Sequence, residues 1–466
     1  MRQYENLIIG FGKAGKTLAG YLAKQGEKTA LVEENPLRYG GTCINVACIP
    51  SKSLEHSAAL SATYGGSLKE KKKRYRAAIA EKRRLTGLLR QKNYEKLAST
   101  GAEIIDARAV FLDPHHVKLQ FPDGRVDEAE AERIFINTGA VPQHSIEGKK
   151  TIYTSESMME LSELPEKLVI VGGGYIGLEF ASFYNNFGSK VTILQDTEIF
   201  LPREDREMAV LIEKTMVESG ITIIKGAKVK GVGENSVTYF QKETSKDTGN
   251  VGGVDKNYDS LFQKETMKEI SADAILLATG RKPNTANLGL EHAGVDVTAR
   301  GGIITDKQCR TSVNHIFAMG DVRGELQFTY ISLDDFRIVR DALAGKTRTT
   351  ENRGAVPYAV FLTPPFARVG LSEEEAVAAG KKFKKTLLPT AAIPKAQVLR
   401  ETRGALKVLV EEGTGLILGA HLFCPESPEM INLVKRAMDS KIPASELAEQ
   451  IYTHPTMTEA FNDLFA

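Results

Sequence analysis

The amino-acid sequence predicts an α/β fold with two Rossmann-like dinucleotide-binding domains, followed by a C-terminal α+β domain. Two glycine-rich turns, at residues 10–15 and 172–177, each lie between a short buried strand and a helix. From about residue 347 the pattern changes, and apolar strands alternate with helices without a further glycine-rich turn. At 466 residues the chain exceeds what one hydrophobic core can serve, so several domains are expected.

The first glycine-rich turn has the full context of a dinucleotide fingerprint. A buried strand precedes Gly10, Gly12 and Gly15, and a helical stretch follows them. The next strand ends at an acid, Glu33, at the distance that this fingerprint requires. The glycines allow a pyrophosphate to approach the helix N-terminus, and Glu33 is expected to accept a hydrogen bond from an adenosine ribose.

The second turn repeats this pattern with one difference. Gly172, Gly174 and Gly177 follow a buried strand, but the next strand ends at Gln195 instead of an acid. An acid at this position favours NADH through the 2′-hydroxyl, whereas basic residues favour the 2′-phosphate of NADPH. Gln195 carries no charge, so the sequence leaves the choice of nucleotide open. Two fingerprints in one chain indicate two nucleotides that exchange a hydride.

Residues 40–52 read Gly-Gly-Thr-Cys-Ile-Asn-Val-Ala-Cys-Ile-Pro-Ser-Lys and contain two of the four cysteines. Cys43 and Cys48 are five positions apart, which on a regular helix separates their Cα atoms by about 8–9 Å. A disulfide needs roughly 4.4–6.8 Å. A bond between them would therefore require a local distortion and would be readily reducible. On spacing alone, two unconnected buried thiols are the alternative.

The composition is that of an ordinary globular protein. Lys plus Arg number 61 and Asp plus Glu 59, a net charge of +2 that indicates neither nucleic acid nor an anionic membrane as a partner. No apolar run approaches the length of a membrane span, and the short apolar stretch 7–9 is not a signal peptide. We therefore expect a cytoplasmic protein, without nucleic-acid or membrane partners, whose cysteines are reduced unless catalysis uses them.

The segment 40–52 resembles the redox-active segment of the class I flavoprotein disulfide reductases, which include glutathione reductase, dihydrolipoyl dehydrogenase and mercuric reductase. Ala47 departs from this pattern, because the family usually has glycine there. The C-terminal stretch 454–459, His-Pro-Thr-Met-Thr-Glu, is similar to the family's His-Pro-Thr-x-x-Glu. The resemblance covers essentially the whole chain, and residues 328–337 and 10–17 resemble the branch named for bacterial reactive-chlorine resistance.

The resemblance implies FAD as cofactor, NADH or NADPH as co-substrate, and a homodimer with shared active sites. It also implies four segments, which are an FAD-binding part at 1–148, an NAD(P)-binding domain at 149–272, a second FAD or central part at 273–346, and a dimerisation domain at 347–466. Residues 235–270, which are polar and contain a short repeat, are expected to be an expanded and mobile β-meander loop of the NAD(P) domain.

The resemblance also assigns the catalytic residues. Cys48 would be the thiolate nearer the flavin and Cys43 the thiol that exchanges with substrate. His454 would act as the base, oriented by Glu459.

Lys52 and Glu179 match a family ion pair, and Tyr175 matches the gate over the nicotinamide pocket. No metal ligand is assigned. The cofactor-binding residues, from fingerprints and resemblance together, are Gly10, Gly12, Gly15, Glu33, Gly41, Thr42, Lys52, Thr138, Gly139, Asp321, Gly172, Gly174, Gly177, Gln195 and Gly280.

The function expected from these observations is electron transfer from NAD(P)H through FAD and the Cys43–Cys48 disulfide to a small disulfide or oxidant, in defence against oxidative stress. A reductase of Cu or Hg ions is the first alternative, since paired thiolates are soft ligands. A dihydrolipoyl dehydrogenase is the second, although Tyr452 stands where those enzymes typically have a further histidine. A redox-sensing flavoprotein that acts through a protein partner is the alternative that is not an enzyme.

Overall fold

A computed structural model describes residues 1–143, 150–243 and 264–466. The chain forms two compact units, each assembled from three segments. The first unit comprises Met1–Leu54, Ala77–Ser145 and Gly280–Gly354, and the second comprises Glu55–Arg76, Ile146–Thr279 and Ala355–Ala466.

The strands of the described residues are β1 (Arg2–Ile9), β2 (Thr29–Glu33), β3 (Glu103–Asp106), β4 (Arg108–Phe111), β5 (His116–Gln120), β6 (Val126–Ile136), β7 (Ala140–Pro142), β8 (Ile152–Thr154), β9 (Lys167–Val171), β10 (Lys190–Leu194), β11 (Thr222–Ile224), β12 (Lys228–Val232), β13 (Ser236–Glu243), β14 (Lys264–Ser271), β15 (Ala274–Leu277), β16 (Arg281–Pro283), β17 (Ile316–Ala318), β18 (Tyr358–Val360), β19 (Phe366–Gly370), β20 (Phe383–Pro389), β21 (Ala405–Glu411) and β22 (Ile417–Phe423).

The helices are α1 (Lys13–Lys24), α2 (Thr42–Val46), α3 (Cys48–Tyr64), α4 (Leu68–Ala98), α5 (Ser155–Met158), α6 (Tyr175–Phe187), α7 (Arg206–Glu218), α8 (Leu290–Ala293), α9 (Thr329–Leu343), α10 (Glu373–Ala378), α11 (Pro394–Leu399), α12 (Ser427–Asp439), α13 (Ala444–Glu449) and α14 (Phe461–Leu464). Among the residues that the structure describes, no helix combines the length and the apolar character that crossing a bilayer requires.

A seven-stranded sheet is the centre of the first unit. Its order is β3-β2-β1-β6-β5-β4, and β17 also pairs with β6. The strands β3, β2, β1, β6 and β17 are parallel, so their carboxyl ends meet at one edge. The carboxyl-terminal parts of β1 and β6 are apolar runs, and their buried side chains pack on both faces of the sheet. In an open parallel sheet, the carboxyl edge is where nucleotides bind.

The second unit contains a parallel sheet of order β11-β10-β9-β15-β8 and a three-stranded antiparallel sheet, β12-β13-β14. The strand β15 pairs in parallel with β9 and β8, whereas the four-part division predicted from the sequence placed it in the following segment. That division stays a prediction. The predicted meander at 235–270 includes β13 and β14, and its middle part, residues 244–263, lies outside the described residues.

A five-stranded antiparallel sheet, β18-β19-β22-β21-β20, forms the C-terminal part of the second unit. Buried residues of its central strands pack against α12, α13 and α14. The predicted fold class is therefore confirmed, with two Rossmann-like sheets and a C-terminal α+β domain.

Candidate active site

The first glycine-rich turn connects β1 to α1 at the carboxyl edge of the seven-stranded sheet. Gly10 has a φ of +101°, and a Cβ there would lie 2.5 Å from the Asn137 carbonyl oxygen. A Cβ on Gly12 would lie 2.3 Å from the Asn137 Oδ1 atom. Gly12 is the N-cap of α1 and carries no capping side chain, while the N–H groups of Ala14 and Gly15 in the first turn donate to Ser332 Oγ and Asn137 Oδ1. The turn therefore needs glycine for close packing, and its backbone at Gly12 can approach a pyrophosphate.

Glu33 ends β2 beside this turn, as predicted. Its Oε2 atom accepts the Phe11 N–H at 3.0 Å, and its Oε1 atom accepts the Asn35 N–H at 3.2 Å. Burial raises the pKa of the Glu33 carboxyl, while the two backbone donors oppose that rise. Glu33 therefore holds the glycine-rich turn against the end of β2. This is the position from which its carboxylate would bind a ribose.

Asn137 is a buried residue at this edge that our sequence reasoning did not select. It follows β6, and its Oδ1 atom accepts the Gly15 N–H at 2.9 Å. Its Nδ2 atom donates to the Met319 carbonyl at 2.6 Å, directly after β17. Asn137 therefore joins the glycine-rich turn to two parallel strands. A polar residue immediately after a buried strand is the signal that could have identified it.

Thr138, Gly139 and Asp321 lie next to Asn137 and Met319 in sequence. The Thr138 hydroxyl donates to the Asn284 carbonyl at 2.7 Å, and Gly139 has a φ of +74°. Asp321 lies in the short 3-10 helix that follows β17, where burial raises the pKa of its carboxyl to about 6. The loop residue Gly280 belongs to the same unit and accepts the Gln143 N–H at 3.1 Å.

The redox segment begins against the glycine-rich turn. Gly41 has a φ of +84°, and a Cβ on it would lie 2.7 Å from the Cα atom of Gly12. Thr42 is the first residue of α2, and α2 and α3 are separated at Ala47, whose φ and ψ are −140° and −100°. The helix is thus interrupted between Cys43 and Cys48, as a close approach of the two sulfurs requires.

Cys43 is half-buried, Cys48 is exposed, and both are free thiols. A hydrogen bond with Cys48 lowers the pKa of Cys43 to about 6, with help from the Thr329 hydroxyl, Lys16 and Lys52. The same hydrogen bond and the Cys43 charge raise the pKa of Cys48. The pair therefore shares one proton at neutral pH and presents one thiolate, the reactive form of cysteine.

Two further groups at the dithiol were not selected as site residues from the sequence. The Thr329 Oγ1 atom, at the start of α9, lies 3.6 Å from the Cys48 Sγ atom. The Lys16 amine donates to the Gly40 carbonyl at 3.1 Å and to Asn93 Oδ1 at 2.6 Å. Burial lowers the pKa of Lys16 to about 8. Both groups come from elements distant in sequence, so spacing around the cysteines could not reveal them.

The second glycine-rich turn connects β9 to α6. Gly172 has a φ of +113°, and a Cβ on Gly177 would lie 2.1 Å from the Gly172 carbonyl oxygen. Gly174 precedes α6 without a side-chain cap, and a Cβ on it would meet open space. The glycines pack closely, as in the first turn, and Gly174 places the N-terminus of α6 at a strand edge with no capping side chain.

Gln195 follows β10 and is 3% exposed. Its Nε2 atom donates to the Thr197 carbonyl at 3.0 Å and to the Ile199 carbonyl at 2.9 Å, which fixes the orientation of the amide. Its Oε1 atom is buried and meets no hydrogen-bond donor among the described residues. A Cβ on Gly173 would lie 2.3 Å from Oε1, so this unused acceptor is directed at the glycine-rich turn.

Tyr175 and Glu179 lie on the first turns of α6. The Tyr175 hydroxyl donates to the Glu204 carboxylate. Glu179 Oε1 accepts the Phe361 N–H at 3.0 Å. Lys52 lies on α3 and contributes to the electrostatics of the thiols in the first unit. An ion pair between Lys52 and Glu179 stays a prediction.

His454 and Glu459 form a hydrogen-bonded pair, with His454 Nδ1 and Glu459 Oε2 2.8 Å apart. A carboxylate can only accept, so Nδ1 carries the proton and Nε2 is left as the basic nitrogen. The His454 side chain is 73% exposed, whereas that of Glu459 is 16% exposed. The pair presents an oriented base at the surface of its own chain.

The two other cysteines, Cys309 and Cys424, are fully buried, and burial raises the pKa of both thiols. Both are therefore core residues whose thiols stay protonated and unreactive.

Two glycine-rich turns, a strand-end acid and a pair of thiols define an FAD- and nicotinamide-dependent disulfide oxidoreductase. The chain belongs to the pyridine nucleotide-disulphide oxidoreductase family, whose model matches residues 4–335 and whose dimerisation domain matches residues 356–465. It is therefore a flavoprotein that uses NADH or NADPH and forms a homodimer.

Individual relatives agree with this assignment over nearly the full chain. The probable pyridine nucleotide-disulfide oxidoreductase RclA of Escherichia coli is 44% identical over 474 residues, covering 100% of this chain and 99% of the relative. The dihydrolipoyl dehydrogenase of Geobacillus stearothermophilus is 32% identical over 473 residues, covering 98% and 94%. The solved Cu(II) complex of the HOCl-induced flavoprotein disulfide reductase RclA from E. coli superposes with a TM-score of 0.88 at 45% identity, covering 100% of this chain and 99% of that one.

Proposed function

We propose that this protein passes electrons from NADH or NADPH to the Cys43–Cys48 pair and from there to a small disulfide or oxidant, in defence against oxidative stress. The observation that carries the proposal is the placement of two free thiols, Cys43 and Cys48, on either side of the interruption between α2 and α3. The E. coli relative, described as HOCl-induced, supports the physiological setting. We place the activity in the cytoplasm, where thiols are kept reduced.

The first unit fits FAD. Its glycine-rich turn at Gly12 suits the pyrophosphate, Glu33 suits the adenosine ribose, and Asp321 suits the hydroxyls of the ribityl chain. When bound, FAD supplies two-electron transfer between the nicotinamide and the dithiol. The other residues that we assign to this cofactor are Gly15, Gly41, Thr42, Lys52, Thr138, Gly139 and Gly280.

The second unit would bind the nicotinamide nucleotide. Gly172, Gly174 and Gly177 suit its pyrophosphate, and Gln195 suits its adenosine ribose. Tyr175 would close the nicotinamide pocket until the nucleotide enters.

The reduced pair would then act by thiol–disulfide exchange. The Cys43 thiolate attacks one sulfur of the substrate disulfide, so that a Cys43–substrate bond forms, the substrate S–S bond breaks, and the first substrate thiol leaves. Cys48, once deprotonated, attacks the Cys43 sulfur, which restores the Cys43–Cys48 bond and releases the second substrate thiol. The lowered pKa of Cys43 suits its role as the exchanging thiol.

We assign proton transfer in this exchange to His454 of the other subunit of the homodimer. The basic Nε2 atom of His454 would take the thiol proton and return it to the leaving thiolate, while Glu459 holds the ring. Each active site would therefore combine Cys43 and Cys48 of one chain with His454 and Glu459 of the other.

The test is a steady-state assay of NADH and NADPH oxidation against disulfides, quinones and hypochlorite-derived oxidants. We expect turnover with at least one disulfide or oxidant, and its loss in Cys43→Ser and in Cys48→Ser. Acceptor reduction that persists in both variants would show that the thiols are not on the electron path, and the proposal would be wrong.

Reduction of copper ions is a second candidate, because the E. coli relative was solved as a Cu(II) complex. Paired thiolates are soft ligands, and the exposed Cys48 is accessible to an ion. The test is NADH-dependent formation of Cu(I), followed with a chromogenic Cu(I) chelator. Cu(I) formation that requires both cysteines and exceeds turnover with every disulfide would favour this function over disulfide reduction.

A further inference from the structure

Glu204 is a buried acid of the second unit that no sequence motif indicated. It is 2% exposed and directly precedes Asp205, which caps α7 by accepting the Met208 N–H. A buried carboxylate is costly unless cations and hydrogen-bond donors compensate it. The groups that meet Glu204 therefore indicate what it does.

Three side chains donate to the Glu204 carboxylate. The hydroxyls of Tyr175 and Tyr358 both donate to Oε1, the latter at 2.6 Å. The Arg368 guanidinium donates to Oε2 at 3.4 Å. Tyr358 and Arg368 are directly opposite each other on the antiparallel strands β18 and β19. The C-terminal sheet thus holds Glu204 with a cation and a phenol, independently of Tyr175.

Tyr175 differs from the other two donors because its backbone belongs to the second glycine-rich turn. It is the first residue of α6, directly after Gly174. Its ring lies against the Tyr358 ring, with centroids 5.7 Å apart and planes at 36°. A side chain that begins in the nucleotide-binding turn is therefore fixed at its far end by an acid that the C-terminal sheet holds.

We propose that Glu204 is a positioning residue that tethers the gate Tyr175, so that a nicotinamide nucleotide must break the Tyr175–Glu204 hydrogen bond to enter. This inference rests on the gate role of Tyr175 in the proposed function. A tethered ring reduces the fraction of molecules that can bind, and the apparent affinity falls by that fraction. Hydrogen bonds to charged groups are among the stronger ones in proteins, so the tether is expected to weaken binding by roughly tenfold.

The test compares two variants that remove one phenolic hydroxyl each from the same oxygen of Glu204. Tyr175→Phe removes the tether and keeps the ring, while Tyr358→Phe removes the Tyr358 hydroxyl from Glu204 and from the neighbouring Tyr175 hydroxyl and keeps the Tyr175–Glu204 bond. In both variants Arg368 still compensates the buried charge. The measurements are the Kd of NAD+ by titration calorimetry with the FAD-loaded dimer, and the Tm of each variant.

We expect Tyr175→Phe to bind NAD+ roughly tenfold more tightly than the unchanged protein. Tyr358→Phe should keep the Kd of the unchanged protein, while both variants lose comparable stability. Equal values of Kd in all three proteins, or the same change in both variants, would overturn the tether, because the hydrogen bonds would then be structural only.

Tyr175→Ala separates this inference from the function on which it rests. If Tyr175→Ala tightens NAD+ binding while Tyr175→Phe does not, the ring is a gate but Glu204 does not tether it, and the inference is wrong. If even Tyr175→Ala leaves the Kd unchanged, Tyr175 is not a gate, and that part of the proposed function fails together with the inference.

Discussion

The buried amide of Gln195 gives a quantitative prediction for nucleotide preference. Since its Nε2 atom is held by two carbonyls, only the acceptor Oε1 is directed at the second glycine-rich turn. The 2′-hydroxyl of NADH can donate to this atom, a hydrogen bond worth about 1 kcal/mol. At pH 8 the 2′-phosphate of NADPH is a dianion that can only accept, so Oε1 stays unpaired in that complex, as it is in the free protein. The difference, about 1 kcal/mol, corresponds to a roughly fivefold preference for NADH.

Gln195→Leu is the perturbation that tests this reasoning. The fold should tolerate it, because the Thr197 carbonyl keeps the Gly226 N–H at 3.1 Å and the Ile199 carbonyl keeps the Thr197 hydroxyl at 3.1 Å. We expect NAD+ to bind about fivefold more weakly and the preference over NADP+ to disappear, as measured by calorimetry and by the ratio of kcat/KM values.

The control is Thr197→Val, which removes a contact of Nε2 at 2.9 Å and leaves Oε1 in place. Its nucleotide preference should equal that of the unchanged protein. If Gln195→Leu keeps the original preference at an unchanged Tm, Oε1 does not contact the ribose, and another residue selects the nucleotide.

The remaining predictions concern the dithiol, Asn137 and His454. In the reduced protein, alkylation of Cys43 by iodoacetamide should be slow below pH 6 and reach its plateau above it, because the thiolate forms as pH rises through a pKa of about 6. Cys48→Ala removes the first cause of that low pKa, so its profile should move toward the ordinary value of about 8.5, and an unmoved profile would contradict the assignment. Asn137→Ala leaves a buried N–H and a buried carbonyl unpaired, and we expect a loss of about 2–4 kcal/mol of stability together with FAD release. Asn137→Asp keeps the acceptor for the Gly15 N–H and should lose less stability. Equal losses in the two variants would contradict this account. A dimer with Cys43→Ser on one chain and His454→Ala on the other should recover about half of the original activity if sites are shared and independent, whereas an inactive mixed dimer would show that His454 serves its own chain.

Local sequence patterns were sufficient to predict both glycine-rich turns and the strand ends beside them. A strand and a helix that lie within about 25 residues identify each of these positions, which are Gly10, Gly172, Glu33 and Gln195. A short window of sequence therefore contains the whole pattern. The interruption between Cys43 and Cys48 was also foreseeable, because a regular helix cannot bring residues five positions apart into contact.

Residues whose role depends on long-range pairing could not be predicted in this way. Asn137 acts through Gly15 and Met319, and the three meet only because β1, β6 and β17 are neighbours in one sheet. The surroundings of Glu204 depend on the register that places Tyr358 opposite Arg368, and a shift of β18 by one residue would turn Tyr358 to the other face of the sheet. The direction of the Gln195 amide depends likewise on carbonyls that the following turn supplies.

The exposure of the His454–Glu459 pair bears on how the active site is assembled. A histidine used within its own chain is expected to be covered by the groups that it serves, yet His454 is 73% exposed while its orienting acid is 16% exposed. The thiols belong to the first unit, whereas His454 belongs to the second, within the match to the dimerisation domain. His454 is an exposed base that the half-buried acid Glu459 orients. This arrangement is expected of a base that meets its substrate at a surface completed by another chain. We therefore expect dissociation of the homodimer to abolish thiol–disulfide exchange while each chain keeps its FAD.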